Sequence, residues 1–267
     1  MNTIKDALIV TATLGNRDTI ARTIQSVKNI GGYRVRHIII TPIANFESLK
    51  VKYPDSEIIL EPSSCRGIYQ SLNYVFNKFG KKYQILGFIN DDDYWLPEFA
   101  KCFKVMDTYT ETDVVYGKVI FVNENNKIIG EQTSSPRFKA FGALLTKQVI
   151  LFTQQATLIR SELFFKLKGF DESYKLIADS DFWLEAIKSN AKFHFLNLHC
   201  AAYMIQSNQL SSNKSLQKSE REILLQKVDS KGYVNVLYEY LLFRAYNFPI
   251  YLKRFIRLSK LKPTLTN

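Results

Sequence analysis

The sequence predicts an α/β fold, with a mostly parallel central sheet flanked by helices and a helical extension at the C-terminal end. Three observations predict it. Segments of strand length rich in Ile, Val and Leu recur without the polar alternation of a one-sided sheet. Helical patterns separate them, as the crossovers between parallel strands require. With 46% hydrophobic and 13% aromatic residues in 267, the chain also has enough apolar surface for a large core, as one big domain or two small ones.

In chain order, DALIVTAT (6–13) reads as a buried strand and DTIARTIQSVKNI (18–30) as a helix with Asp18 near its N-cap. VRHIIIT (35–41) and SEIILE (56–61) are further strands, GIYQSLNYVFNKF (67–79) is a helix and YQILGFIN (83–90) a fourth strand. DVVYGKVIFVNENNKIIG (113–130) has the form of a hairpin with an Asn-rich turn, and SSPRFKAFG (134–142) that of a loop. TLIRSELFFKLKGF (157–170) suggests a strand running into a short helix that ends near Gly169. DSDFWLEAIKS (179–189) is a helix with acids in its first turn, where the helix dipole favours them. A strand pair is expected around 192–206, and helices over 215–259 with a break near Pro249.

Ligands of such sheets bind at the carboxyl ends of the strands. The stretch FINDDDYWLPE (88–98) places Asp91, Asp92 and Asp93 at that edge, after the fourth strand, with no Lys or Arg inside it. Uncompensated carboxylates there suit a hard divalent cation. The competing reading is a solvated turn whose Asp caps the helix after Pro97.

Other chemistry finds less support. Cys65, Cys102 and Cys200 are odd in number and, with His37, His194 and His199, form no metal-ligand spacing, so neither disulfides nor structural zinc are expected. The stretch MNTIKDALIVTATLGNRD has an apolar run too short for a signal peptide, and no segment reaches the length of a membrane span, so a cytoplasmic location is expected. The formal charge of +11 is concentrated late: residues 215–267 carry ten basic against four acidic residues, a difference of +6. A basic nucleic-acid-binding protein is the weaker alternative, since no recognised binding module accompanies the charge.

Five motifs in series, VTATLGNRDTIARTIQSV, CRGIYQSLN, FINDDDYWLPE, GFDES and ADSDFWLEA, resemble the family 2 glycosyltransferases of the GT-A fold, over roughly residues 6–210. The resemblance implies an inverting transfer of one sugar from a nucleotide-sugar donor, a UDP-sugar being favoured, with Mn2+ or Mg2+ as cofactor. The acceptor would be a glycan or lipid-linked glycan of cell-surface polysaccharide biosynthesis. By the family's pattern Asp93 is the metal ligand. Asp92 faces the ribose or the metal's water shell, and Asp91 joins the donor site. Thr11, Thr13 and Arg17 lie in the nucleotide-binding segment, Arg66 contacts the diphosphate and Asp179 is the base. Asp181 is structural, and Trp95 and Trp183 are core or pocket wall.

The family's Asp-Gly-Ser turn after the second strand is absent, TPIANFES standing in its place, and Cys65 and Gln70 occupy positions where Asp is common. A catalytically inactive nucleotide-sugar-binding protein of the same fold is therefore the leading alternative. The Gln-x-x-Arg-Trp signature of processive synthases is also missing, which implies single addition. The implied division is a catalytic domain over 1–212, with a nucleotide-sugar-binding half (1–95) and an acceptor-side half (96–212). A basic amphipathic extension follows over 213–267.

In the tail FRAYNFPIYLKRFIRLSKLK (243–262), Tyr251, Leu252, Phe255 and Ile256 share one helical arc, and Lys253, Arg254, Arg257 and Lys260 share the opposite one. Such a helix is expected either to lie peripherally on an anionic membrane, at the inner face of the plasma membrane, or to pack on the catalytic domain or on a second copy in a homodimer.

Overall fold

A computed structural model describes residues 6–206, 213–228 and 233–258. Nine strands form one sheet in the order β3-β2-β1-β4-β8-β6-β9-β5, with β7 paired to β6. The first half follows the expected alternation: β1 (Asp6–Ala12), α1 (Ile20–Lys28), β2 (Arg34–Thr41), α2 (Ile43–Lys52), β3 (Glu57–Leu60), α3 (Ile68–Phe79) and β4 (Ile85–Phe88). β1 pairs in parallel with β2 and with β4, and β2 in parallel with β3. The chain thus winds outward from β1 to β3 and returns to the other side of β1. That reversal opens a crevice beyond the carboxyl ends of β1 and β4, where doubly wound sheets bind ligands.

Both faces of these strands are apolar because both are covered. In β1, Leu8 and Val10 join one core with Leu72 and Phe76 of α3. Ala7 and Ile9 join the opposite core with Val27 of α1. The period of two along the strand makes this division.

The second half departs from a purely parallel sheet. After β5 (Tyr94–Trp95) and α4 (Ala100–Thr108), β6 (Val114–Val122) and β7 (Ile128–Glu131) form the expected hairpin, its turn holding Asn126 at φ 59°. After α5 (Phe141–Thr146), β8 (Thr157–Arg160) enters antiparallel between β4 and β6. α6 (Ser161–Lys166) and α7 (Ala178–Lys188) follow, with Gly169 between them at φ +80°, and then β9 (Phe193–Met204). The expected strand pair around 192–206 is this single strand, parallel to β6 and antiparallel to β5. Helices α2 and α5 have no counterpart in the sequence reading, and α4 is the helix expected after Pro97.

The extension consists of α8 (Lys214–Gln226), α9 (Tyr233–Tyr246) and α10 (Phe248–Leu258). The break falls at Asn247, and Pro249 sits in the first turn of α10, where its missing N–H costs nothing. Leu224 and Phe243 are buried in the same core as α3 and β4, so the extension is built into the domain rather than appended to it.

Candidate functional site

The acidic loop and the segment after β1 meet in the crevice between β1 and β4. Thr13 Oγ1 donates to Asp91 Oδ2 at 2.6 Å and accepts from the Gly15 amide at 2.9 Å. Gly15 has φ +72°, and a Cβ on it would lie 2.7 Å from Asn45 Cβ, so the turn requires glycine. Arg17 Nη1 bridges two carboxylates, at 3.2 Å from Asp91 Oδ1 and 2.5 Å from Asp92 Oδ2. From α1 and its entry, Thr19 Oγ1 donates to the Asp91 carbonyl at 2.9 Å, and Thr23 Oγ1 to the Asp93 carbonyl at 2.6 Å. Burial raises the Asp91 carboxyl, and the Thr13 hydrogen bond and Arg17 charge oppose that.

Asp93, the metal ligand by the family's pattern, is enclosed here by hydrogen-bond donors. Its side chain has no solvent exposure. Oδ2 accepts from Gln155 Nε2 at 2.9 Å and from Asn90 Nδ2 at 3.1 Å, and Oδ1 accepts from the Met204 amide at 2.9 Å. Burial first, then the Asp92 charge, pushes this carboxyl well above its ordinary range. A carboxylate enclosed this way ties the acidic loop to β9 and to the segment before β8; Asp91 and Asp92 are the carboxylates that meet a positive group.

Thr11 is likewise turned inward, fully buried, with Oγ1 2.9 Å from His37 Nε2, so its side chain is part of the sheet rather than of the crevice. Arg66 is exposed and folds back on its own turn, donating to the carbonyls of Cys65 (3.0 Å) and Ser63. Trp95 and Trp183 are buried, as expected, Trp95 donating to the Gln155 carbonyl at 3.0 Å.

Asp179 opens α7 and is half-buried. Its Oδ1 accepts from the Ser180 amide at 2.8 Å and from the Tyr69 hydroxyl at 3.2 Å. Burial pushes its pKa up to about 6, with the Ser180 and Tyr69 hydrogen bonds pulling the other way. Tyr69 lies in the first turn of α3, and its ring packs on Phe170, which packs edge-on against Phe88. Since Phe88 ends β4, this aromatic row links Asp179 to the strand that carries the acidic loop. Asp181 is tied to Lys227 at 2.7 Å, an internal ion pair.

Several positioning residues have no signature in the sequence. Glu220 of α8 accepts from the amides of Lys175 (2.6 Å) and Leu176 (2.9 Å), fixing the entry to α7, and Gln155 reaches Asp93 from 62 residues away. Thr19 and Thr23 leave a faint trace, as hydroxyls four apart at a helix start directly after a strand edge.

Tyr69→Phe removes one of the three hydrogen bonds that hold the Asp179 pKa down. Any activity that requires ionised Asp179 is then expected to show its acidic limb near pH 6 in the wild type and at higher pH in the variant. Superimposable pH profiles would show that the tyrosine does not act on Asp179.

No family model matches the chain. A curated, uncharacterized glycosyltransferase of Methanocaldococcus jannaschii is 29% identical over 133 residues, 48% of this chain and 45% of that protein. The chain therefore spans less than half the length of this relative. Among solved structures, S. aureus TarS 1-349 in complex with UDP-GlcNAc matches with a TM-score of 0.61 at 14% identity, covering 96% of this chain and 76% of the other. The mannosyltransferase PcManGT from Pyrobaculum calidifontis, in complex with GDP-Man and Mn2+, matches with a TM-score of 0.61 at 12% identity, covering 95% and 76%. In sequence and in fold the chain is similar to the GT-A glycosyltransferases, as its five motifs imply.

Proposed function

We propose that the protein is an inverting, metal-dependent glycosyltransferase that moves a single sugar from a nucleotide-sugar donor, a UDP-sugar by preference, to a glycan or lipid-linked acceptor of a cell-surface polysaccharide. The observation that carries this reading is the convergence of Thr13 and Arg17 on Asp91 and Asp92, with the Gly15 amide holding the Thr13 hydroxyl, in the crevice at the ends of β1 and β4. A UDP-sugar complex and a GDP-sugar complex with Mn2+ among proteins of the same fold support the donor class and the cofactor. A peripheral position at the inner face of the plasma membrane fits the lipid-linked acceptor.

Asp91 and Asp92 suit a divalent cation. They are hard oxygen donors, and the pair already takes a positive group in Arg17. Among the described residues no cluster of three or more His, Cys, Asp or Glu side chains could hold a metal alone. A cation there would be held by Asp91 and Asp92, with phosphate oxygens and water available to complete its shell. When bound, Mn2+ or Mg2+ stabilises the charge that develops on the departing diphosphate. Arg17, exchanged off the carboxylates, presents its guanidinium to the same phosphates.

Gly15 lets the backbone after β1 approach the nucleotide closely. Asp179 takes the proton of the acceptor hydroxyl. At pKa about 6 it is ionised at neutral pH and still basic enough to act. The Ser180 amide and Tyr69 hydroxyl occupy Oδ1 and so orient the carboxylate.

A thermal-shift screen of UDP, GDP, dTDP and CMP with and without Mn2+ tests the proposal. One nucleotide, UDP by preference, is expected to raise the melting temperature only when Mn2+ is present. The stabilisation reaches about 2.7 kcal/mol at a hundredfold excess over Kd. No shift with any nucleotide would sink the reading. A shift without donor turnover would instead leave a nucleotide-sugar-binding protein that has lost catalysis.

A further inference from the structure

The tail helix is mounted the opposite way round from the orientation that its basic arc suggests. Lys253 Nζ donates to Glu131 Oε1 at 2.9 Å, and Arg254 is buried, donating to the Glu131 carbonyl. Two of the four basic residues of that arc thus pin α10 onto β7. The side chain of Arg257 and all of Lys260 lie outside the described residues. Of the apolar arc, Tyr251 turns inward under the Arg244 guanidinium, 4.0 Å from its ring centroid. Leu252, Phe255 and Ile256 face solvent with 46%, 57% and 73% exposure, and Phe248, one turn earlier, with 62%. On α9, Leu241 and Ala245 extend the same stripe, and a mostly apolar groove lined by Arg244, Ala245, Phe248, Tyr251, Leu252 and Phe255 makes it continuous. Single exposed apolar side chains are ordinary, but a contiguous stripe of them marks a surface that something covers.

We infer that this outward face of α9 and α10 is a preformed docking surface for an anionic lipid bilayer. The inference deepens the proposed function, on which it rests for the lipid-linked acceptor. Charge selects the occupant. The described charged side chains of α9 and α10, Arg244, Lys253, Arg254 and Glu239, taken with the ion-pair partners Arg137 and Glu131, sum to four minus two or +2, and Arg244 lines the groove itself. The whole chain carries +11. A second copy related by a two-fold axis would bring this positive surface against itself, whereas an anionic bilayer complements it. Among the described residues no helix is long and apolar enough to cross a membrane, so the surface lies in the interface. Exposed Tyr238 and Tyr246 add rings with one wet end, which suit that depth.

The position of the surface serves the reaction. Glu131, the anchor of α10, pairs with Ile120 near the carboxyl end of β6, and the turn of that hairpin accepts from Tyr94 and Arg22 through Asn126 Oδ1. Tyr94 directly follows the acidic loop. One strand pair therefore connects the docking face to the donor crevice, and holds that crevice at a set height above the lipid.

Co-sedimentation of the full chain with phosphatidylcholine vesicles, with and without phosphatidylglycerol, tests the inference. Shortening the chain at Leu242 would remove Phe243 from the core, so point variants are the cleaner probe. Wild type is expected to bind anionic vesicles at least ~10-fold more tightly than neutral ones, with the difference shrinking at high salt. Leu252→Glu/Phe255→Glu/Ile256→Glu should lose at least ~10-fold in anionic-vesicle binding with its melting temperature unchanged. If the triple variant melts early, Ile256→Glu alone carries the comparison. Three results would overturn the inference: no binding to anionic vesicles at low salt, equal binding by the substituted chain, or a lipid-free dimer that the substitutions dissolve. The nucleotide thermal shift, read on the same samples, separates outcomes: its absence alongside intact vesicle binding removes the transferase reading and leaves the membrane surface standing.

Discussion

Asp93→Ala is expected to destabilise the fold by about 3 kcal/mol or more, because it orphans three hydrogen-bond donors around a fully buried side chain. Gln155 and the Met204 amide lie inside the protein, where a donor without an acceptor costs ~1–3 kcal/mol. At this chain length that corresponds to a fall in melting temperature of roughly 6–12 °C. Asp93→Asn offers little relief, since its amide nitrogen is a fourth donor among three. Asp92→Ala should behave in the opposite way, melting near wild type while losing Mn2+-dependent nucleotide binding. Urea denaturation of both variants, with calorimetric nucleotide titrations, decides the matter. A stable Asp93→Ala protein that no longer responds to Mn2+ would return the ligand role to Asp93, as the motif alone implies.

Asp179→Asn is expected to separate stability from chemistry. The folded-state pKa of about 6 lies above the ordinary carboxylate value of 3.8, so folding favours the protonated form. The benefit of that preference is complete below about pH 4 and disappears as pH rises through about 6. At pH 7 the wild type therefore carries the cost of an ionised half-buried carboxylate, up to about 3 kcal/mol for a shift of this size. Asparagine keeps an oxygen for the Ser180 amide and the Tyr69 hydroxyl but never ionises. The variant should match or exceed wild-type stability at pH 7–8, lose that advantage near pH 4, and bind donor normally. Transfer should fall by at least the ~100-fold typical of losing a general base. Turnover near the wild-type rate would remove Asp179 from the mechanism, and a melting temperature that drops at pH 8 would contradict the assigned pKa.

Neighbouring aspartates in one motif part company here. Asp91, Asp92 and Asp93 are indistinguishable as letters, and the family pattern alone favours the last as ligand. What separates them is burial by residues far away in the chain: Gln155 and Met204 close over Asp93, while Arg17 meets Asp91 and Asp92. Thr11 and Thr13 differ for a simpler reason. Thr11 lies within β1, in register with Ile39 of β2, and its hydroxyl meets His37 two residues earlier on that strand, whereas Thr13 lies past the end of β1, where the crevice begins.

The sequence by itself determined the elements whose signal is local. Continuous apolar runs mark the parallel strands, because a strand covered on both faces has no polar side to alternate with. Asp91–Asp93 follow the fourth of these strands, and the link between strand edge and ligand site placed the candidate crevice. The Asn-rich turn of the β6–β7 hairpin and the break near Pro249 were legible because turn chemistry is carried by two or three adjacent residues. Tertiary structure alone decided the rest. The antiparallel entry of β8 depends on which strand edges are left to pair. Helix α2 gains its stability from Leu49, packed against Ile20, Ile24, Ile39 and Ile58, and not from a cap. The orientation of α10 was decided by Glu131: an amphipathic pattern says that a helix has two faces, but an acceptor 122 residues away determines which of them turns to solvent.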